Sequence, residues 1–295
     1  MGHGVTNTQI DDEKELRRFL LENPDQWDYI DEALLNADSN RVSIIFWLPA
    51  TPNGSDILDK IQSGVAESGI EPFLLESENV EDSAWLNEWK KHFKPLKIGA
   101  RIVVCPEWEE YKRQPDEIVF TINPGNVFGT GLHQTTQMCI ECLERYVTSG
   151  CSVLDLGCGS GILSIISVML GAGNAFGCDL DPGAADIAMQ NARLNKIPSE
   201  SYQAVTGNAI TNERLRNQIL NRPKADIIVA NIAADAIIAL SETASRCIKP
   251  DGVFICSGII PDRLDEVKEV IEANGFGIIE SVAKDGWYSL AARYA

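Results

Sequence analysis

From residue 151 to the end of the chain, short apolar segments alternate with segments that have helical spacing. Strands are predicted for residues 151–156, 174–179, 202–206, 225–231, 252–257, 276–283 and 287–293. Near-continuous apolar strands joined by crossover helices are typical of a parallel sheet that helices cover on both faces. The last two strands are joined by the short turn 284–286, which indicates one antiparallel strand. This region is therefore predicted to be a doubly wound α/β domain.

The first 80 residues have a different pattern. They alternate a helix predicted at 11–21, a strand at 41–48, a helix at 55–68 and a strand at 72–75, and no strand is evident before residue 11. This pattern predicts a small α+β domain.

A helix with aromatic residues follows that domain. Trp85, Trp89 and Phe93 are spaced i, i+4 and i+8, so they share one helix face, which we interpret as packing between domains. We therefore expect an N-terminal domain at 1–80, a linker helix at 81–98 and a second domain at 99–295.

The charge of the chain is strongly acidic and unevenly distributed. The formal net charge is −18, and residues 1–80 contribute −11 of it, from 5 basic and 16 acidic side chains. Binding to nucleic acid depends on Lys and Arg contacts with phosphate, so direct binding to nucleic acid is not expected. An acidic domain attracts a basic protein, although an acidic surface also serves solubility alone.

The eight cysteines do not form a metal-binding pattern. Cys139 and Cys142 are the one C-x-x-C pair, and they fall inside a predicted helix without a second pair or a nearby His. We expect no metal site and free thiols, as in a reducing cytoplasm. No apolar run is long enough for a membrane span, and the start lacks the pattern of a signal peptide. The expected location is therefore the cytoplasm.

A glycine-rich loop joins the first strand of the second domain to its helix. It contains Gly157, Gly159 and Gly161 in the spacing G-x-G-x-G, whereas a dinucleotide-binding loop has G-x-G-x-x-G. Asp155 ends the strand before the loop, where it would repel a pyrophosphate but favour an ammonium group. Asp179 ends the next strand, 22 residues after Gly157, where an acid commonly binds ribose hydroxyls. A cationic nucleoside without pyrophosphate fits this set, and S-adenosylmethionine is the common one.

Two further segments are predicted at the same edge of the sheet. Asn231 ends the fourth strand, where it is either a turn residue or, as in many enzymes that methylate amines and amides, an acceptor for the target nitrogen. Residues 123–136 (NPGNVFGTGLHQTT) are predicted to form a lid over the cofactor or a wall of the active site. His133 in this segment is interpreted as a capping or packing residue rather than a base. Asp181 is interpreted as a helix N-cap.

Several motifs together resemble one family. They are the tryptophan helix followed by FKPLKIGARIVVCPEWE, then NPGNVFGTGLHQTT, LDLGCGSGILSI, GCDLDPGA and VANI. Their order and spacing are similar to those of the bacterial ribosomal protein L11 methyltransferases (PrmA type). The resemblance implies a class I methyltransferase domain dependent on S-adenosylmethionine and a small ferredoxin-like N-terminal domain that recognises the substrate. It also implies methylation of lysine side chains and of the N-terminal amine of that ribosomal protein.

The resemblance also assigns site residues: Thr135, Thr136, Gly157, Asp179 and Asn231 would be the cofactor and active-site contacts, with Asn231 as the catalytic residue and also a cofactor contact. The other expected cofactor contacts, in the glycine loop and in residues 123–136, are Phe128, Gly129, Asp155, Gly159 and Gly161. The chain departs from the family where it has Leu132 and Gln134 instead of Thr and Pro. About ten extra residues lie around 211–224.

Other functions are compatible with the same motifs. One alternative is a class I methyltransferase that acts on another protein amine or amide, or on a nucleobase nitrogen. A second is an inactive nucleoside-binding protein that serves as an assembly factor. A dehydrogenase is disfavoured because the third glycine of its loop is absent. We expect a monomer that acts on a basic ribosomal protein without a membrane or direct nucleic-acid partner.

Overall fold

The computed structural model describes residues 7–12, 42–47, 93–123 and 129–295. The chain divides into two compact units, Met1–His92 and Phe93–Ala295. In the first unit, strand β1 (Asn7–Asp12) pairs antiparallel with β2 (Val42–Trp47). The predicted strand at 41–48 is confirmed.

Strand β1 corrects two expectations about the N-terminal unit. A strand does exist before residue 11, and Asp11 and Asp12 pair with Ser43 and Val42 instead of starting a helix. The β1 sequence NTQIDD lacks apolar alternation, so its extended backbone follows from pairing with β2 rather than from a local pattern. The predictions for residues 13–21, 55–68, 72–75 and 83–92 lie outside the described residues.

The second unit begins with a three-stranded sheet in the order β3-β4-β5. Its strands are β3 (Leu96–Ile98), β4 (Ile102–Pro106) and β5 (Ile118–Ile122). β3 pairs antiparallel with β4, and β4 pairs parallel with β5. The apolar runs at 100–105 and 117–122 each predict a strand, and both strands are confirmed with boundaries shifted by no more than two residues.

The end of the predicted linker helix was wrong, because residues 96–98 form β3. Pro95 disfavours continuation of a helix. Gly99, with φ +62°, allows the chain to turn back onto β4. Glu144 holds this turn by accepting hydrogen bonds from the backbone N–H groups of Ala100 and Arg101, each at 2.8 Å.

A seven-stranded sheet forms the centre of the second unit, in the order β11-β12-β10-β9-β6-β7-β8. Its strands are β6 (Ser152–Leu156), β7 (Asn174–Asp179), β8 (Tyr202–Thr206), β9 (Ala225–Asn231), β10 (Ile248–Ile259), β11 (Phe276–Lys284) and β12 (Trp287–Tyr294). β12 runs antiparallel to both of its neighbours, and all other neighbouring pairs are parallel. The doubly wound sheet with one antiparallel strand is confirmed.

Six α-helices are present in the part of the second unit that the structure describes. They are α1 (Gln134–Tyr146), α2 (Ile162–Met169), α3 (Ala184–Leu194), α4 (Glu213–Leu220), α5 (Ala234–Cys247) and α6 (Leu264–Ala273), the last preceded by a 3-10 turn at Pro261–Arg263. The extra residues around 211–224 contain α4, whose N-cap Asn212 accepts from Leu215 N at 3.1 Å.

The interpretation of Asp181 as an N-cap was wrong. Helix α3 begins at Ala184 with Gly183 as its N-cap, two residues after the predicted cap. Asp181 Oδ1 instead accepts from Gly183 N at 2.8 Å, which closes a local turn before the helix.

The core lies between the sheet and its helices. The side chains of Leu156, Ile228 and Phe254 have no exposed surface, and all eight cysteines are buried with free thiols. Within the described ranges no helix could span a membrane, and no group of His, Cys, Asp or Glu could hold a metal ion.

Candidate functional site

The chain order of the sheet creates a crevice at the carboxyl end of β6. β6 lies between β9 and β7. From β6 the chain continues to β7 and β8 on one side, and β9 to β12 lie on the other side. Ligands of open α/β sheets bind at such a switch point, outside the carboxyl ends of the strands. Asp155, Asp179 and Asn231 lie in the last two positions of β6, β7 and β9. The fold therefore brings these three predicted residues to one edge.

The glycine loop after β6 requires glycine at each predicted position. Gly157, Gly159 and Gly161 have φ values of +88°, +49° and +80°, in the left-handed region that other residues rarely adopt. A Cβ at Gly157 would collide with Ile232 Cγ2, and a Cβ at Gly161 would lie 2.9 Å from Ala188 Cβ. The loop therefore presents bare backbone that a ligand can approach closely.

Asp179 is joined to this loop by its carboxylate. Asp179 Oδ2 accepts from Gly159 N at 2.7 Å, and Oδ1 accepts from Asp181 N at 2.9 Å. Each carboxylate oxygen can accept more than one hydrogen bond. The side chain is half-buried, so its carboxylate can accept further hydrogen bonds, and contact with ribose hydroxyls stays a prediction.

Asp155 is completely buried behind the loop. Its Oδ2 accepts from Ser164 Oγ at 2.6 Å, and Oδ1 has no hydrogen-bond partner among the described residues. Burial, together with the nearby Asp179, raises the pKa of Asp155 to about 7, although the bond from Ser164 acts in the opposite direction. Contact between Asp155 and an ammonium group stays a prediction.

Ser164 was not among the predicted site residues. It lies in the first turn of α2, which the loop pattern places against the end of β6, and that position is the signal that could have indicated it.

The catalytic candidate Asn231 is held by one of the predicted threonines. Asn231 is 9% exposed, and its Nδ2 donates to Thr136 Oγ1 at 3.0 Å. Because the amide nitrogen is engaged there, the amide oxygen is the polar atom of this side chain that can accept from another donor. Thr136 lies in the first turn of α1 and is 1% exposed.

His133 caps α1, as interpreted from the sequence. Its Nδ1 accepts from Thr135 N at 3.3 Å and lies 2.8 Å from Thr135 Oγ1. The imidazole also packs edge-on against the ring of Trp287, with centroids 5.1 Å apart. These contacts confirm a capping and packing role for His133, and they engage Thr135 in the same cap.

The remaining predicted residues lie around the loop before α1. Gly129 has φ +102° and its carbonyl accepts from Ser160 Oγ at 2.6 Å, whereas Phe128 lies outside the described residues. In the glycine loop, burial raises the pKa of the Cys158 thiol well above its usual 9.0, so this thiol is not an activated nucleophile.

The donor and acceptor set fits a cationic nucleoside. The glycine loop offers close backbone approach, Asp179 has spare acceptor capacity, and Asp155 contributes a buried carboxyl with an unpartnered oxygen. The Asn231 amide lies at the same edge of the sheet, and contact of these groups with S-adenosylmethionine and with a nitrogen nucleophile stays a prediction.

Comparison with known proteins assigns the family. The sequence model described as Ribosomal protein L11 methyltransferase (PrmA) matches residues 2–295. The chain is 36% identical over 298 residues to a "Ribosomal protein L11 methyltransferase" of Alkaliphilus oremlandii, covering 98% of this chain and 91% of that protein. It is 40% identical over 293 residues to a protein of the same name from Caldanaerobacter subterraneus subsp. tengcongensis, covering 97% and 89%.

A solved structure agrees with the sequence relatives. The crystal structure of a ribosomal protein L11 methylase from Lactobacillus delbrueckii subsp. bulgaricus has a TM-score of 0.60 and 29% identity, covering 69% of this chain and all of that one. The chain therefore belongs to the ribosomal protein L11 methyltransferase family and is a methyltransferase whose cofactor is S-adenosylmethionine.

Proposed function

We propose that this protein transfers methyl groups from S-adenosylmethionine to amino groups of ribosomal protein L11, namely lysine side chains and the N-terminal amine. The observation that carries the proposal is the hydrogen bond from Asn231 Nδ2 to Thr136 Oγ1. Because the amide nitrogen is engaged in this bond, the amide oxygen of Asn231 would accept from the target amine at the edge of the sheet where the glycine loop also lies. The names of the relatives support L11 as the substrate.

The chemistry requires orientation more than proton transfer. When bound, the cofactor supplies a methyl group that its sulfonium already activates. Asp179 and the glycine loop would hold the nucleoside, and Asn231 would accept an N–H of the target amine so that its lone pair is aligned for attack. A free lysine has a pKa near 10.4, and removal from water lowers this pKa, so that the amine becomes neutral by losing its proton to solvent. Attack by the neutral amine then requires no general base.

The remaining assignments belong to the same proposal. Phe128, Gly129, Thr135 and Thr136 would contact the cofactor. The domain at 1–80, with a net charge of −11, would recruit the basic substrate through its field. The predicted linker helix before Phe93 would join it to the catalytic unit, Phe93–Ala295. The enzyme would act as a cytoplasmic monomer on protein, without binding nucleic acid or membranes.

Intact-mass analysis tests the proposed function directly. Purified L11 and S-adenosylmethionine are incubated with the wild-type protein or with Asn231→Ala, and the added methyl groups are counted. We expect methylated L11 with the wild type and turnover lowered more than about tenfold in Asn231→Ala, with a smaller change in cofactor affinity.

A matched control is Asn274→Ala. The Asn274 amide nitrogen also donates to a hydroxyl, that of Ser241, at 3.0 Å. Asn274 lies at the end of α6 and is not one of the predicted site residues. We expect this variant to keep wild-type turnover. Unmodified L11 with cofactor bound would favour the assembly-factor alternative. Methyl transfer to another protein or to RNA in a ribosomal mixture would favour a different substrate.

A further inference from the structure

A buried asparagine outside the predicted site joins two loops of the catalytic unit. Asn191 lies in α3 and has no exposed surface. Its Oδ1 accepts from Asn123 N, immediately after β5, and its Nδ2 donates to the carbonyl of Ser160 in the glycine loop, each at 2.9 Å. One amide therefore attaches the end of β5 to the glycine loop.

The serine of the glycine loop makes a second attachment. Ser160 has no exposed surface, and its Oγ donates to the carbonyl of Gly129 at 2.6 Å. A Cβ at Gly129 would lie 2.8 Å from Ser160 Oγ, so this close approach depends on glycine. Asn123 and Gly129, the described residues on either side of 124–128, are thus both attached to Ser160, one through Asn191 and one directly.

Strand β5 is held by the residue that caps the C-terminal end of the same helix. Thr121 N donates to Asn195 Oδ1 at 2.8 Å, and Asn195 Nδ2 donates to the carbonyl of Thr121 at 2.6 Å. This pair of bonds takes the place of a neighbouring strand at the edge of the three-stranded sheet. The end of β5 is therefore attached to the end of α3 through Asn195 and to the glycine loop through Asn191.

Ser160 connects the glycine loop with the segment that leads to α1. Its neighbour Gly159 donates to Asp179. Gly129, which Ser160 contacts directly, is seven residues before Thr136, which holds Asn231. We propose that Ser160 and Asn191 are positioning residues for methyl transfer, because they hold the chain on both sides of residues 124–128 against the glycine loop. This inference rests on the proposed function in assigning the amine to Asn231.

Substitution of Ser160 tests the proposal against a matched serine. Ser160→Ala removes only the bond to Gly129, because the carbonyl that Asn191 contacts belongs to the backbone. Ser167→Ala removes an equivalent bond, from a serine with no exposed surface to the carbonyl of Leu163 at 2.7 Å within α2. We expect similar losses of stability in the two variants. We expect a kcat about five- to tenfold lower in Ser160→Ala alone, with a smaller change in the Kd for S-adenosylhomocysteine.

Hydrogen exchange supplies a readout that does not depend on activity. Backbone amides of residues 129–136 should exchange faster in Ser160→Ala than in the wild type, and at the wild-type rate in Ser167→Ala. If Ser160→Ala does not fold, Ser160→Cys and Ser167→Cys give the same comparison. Equal exchange and equal kcat in the two serine variants would overturn the proposal. A wild-type protein that leaves L11 unmethylated would contradict the proposed function. The exchange comparison would still decide whether Ser160 positions residues 129–136.

Discussion

Replacing Asp155 by asparagine should remove a pH dependence from the stability of the protein. Asp155 has no exposed surface, and burial beside Asp179 raises its pKa to about 7 from an ordinary value of 3.8. Between these two values the folded state keeps a proton that the unfolded state has lost. The free energy of unfolding therefore falls as pH rises through this window, and becomes level again above about pH 7.

The size of the effect follows from the shift. One pKa unit corresponds to about 1.4 kcal/mol, so a shift of about three units destabilises the ionised folded state by about 4 kcal/mol at most. Asparagine has nearly the same shape and no charge to desolvate. Asp155→Asn should therefore lose this contribution and be more stable than the wild type above pH 7, by an amount on the order of 1–4 kcal/mol.

Urea unfolding between pH 5 and pH 8 measures this effect. The difference in unfolding free energy between Asp155→Asn and the wild type should grow as pH rises. A control is Asp226→Asn: burial opposes ionisation there, but hydrogen bonds from Lys249 and Ser152 hold the pKa of Asp226 below its ordinary value. That variant should differ from the wild type by a constant amount over this range. Parallel pH profiles for Asp155→Asn and the wild type would refute the reasoning.

Three further predictions concern cofactor and substrate binding. Asp179→Ala should weaken binding of S-adenosylhomocysteine by about ten- to 150-fold, since a hydrogen bond to a charged group contributes roughly 1.5–3 kcal/mol; unchanged affinity in calorimetry would remove Asp179 from the site. A chain beginning at Glu81 should still bind the cofactor but methylate intact L11 poorly, and loss of cofactor binding would show that the two units share one core. Full activity of that chain toward intact L11 would contradict recruitment by the first domain. With the full-length protein, the rate of substrate capture should fall as salt rises, because attraction between opposite charges is screened.

The local pattern of the sequence was sufficient for the central part of the fold. The strand ending at Leu156, the glycine loop and the strand ending at Asp179 were predicted because apolar runs and glycines are visible in short windows. The same windows failed for β1 and β3. The residues of β1 are mostly polar, and those of β3 continue a segment with helical spacing, so both strands are specified by the partners they pair with.

The sequence by itself determined which residues reach the edge of the sheet, because a residue that ends a parallel strand must lie there. It did not determine what those residues contact. Asn231 and Thr136 are 95 positions apart, and Ser160 and Gly129 are 31 apart, so no spacing rule could pair them. The burial of Asp155 behind the loop, and hence its raised pKa, was likewise decided only by the tertiary structure. The physical reason is that periodicity encodes the direction of a side chain relative to its own helix or strand, whereas its neighbours, burial and pKa depend on elements distant in the chain.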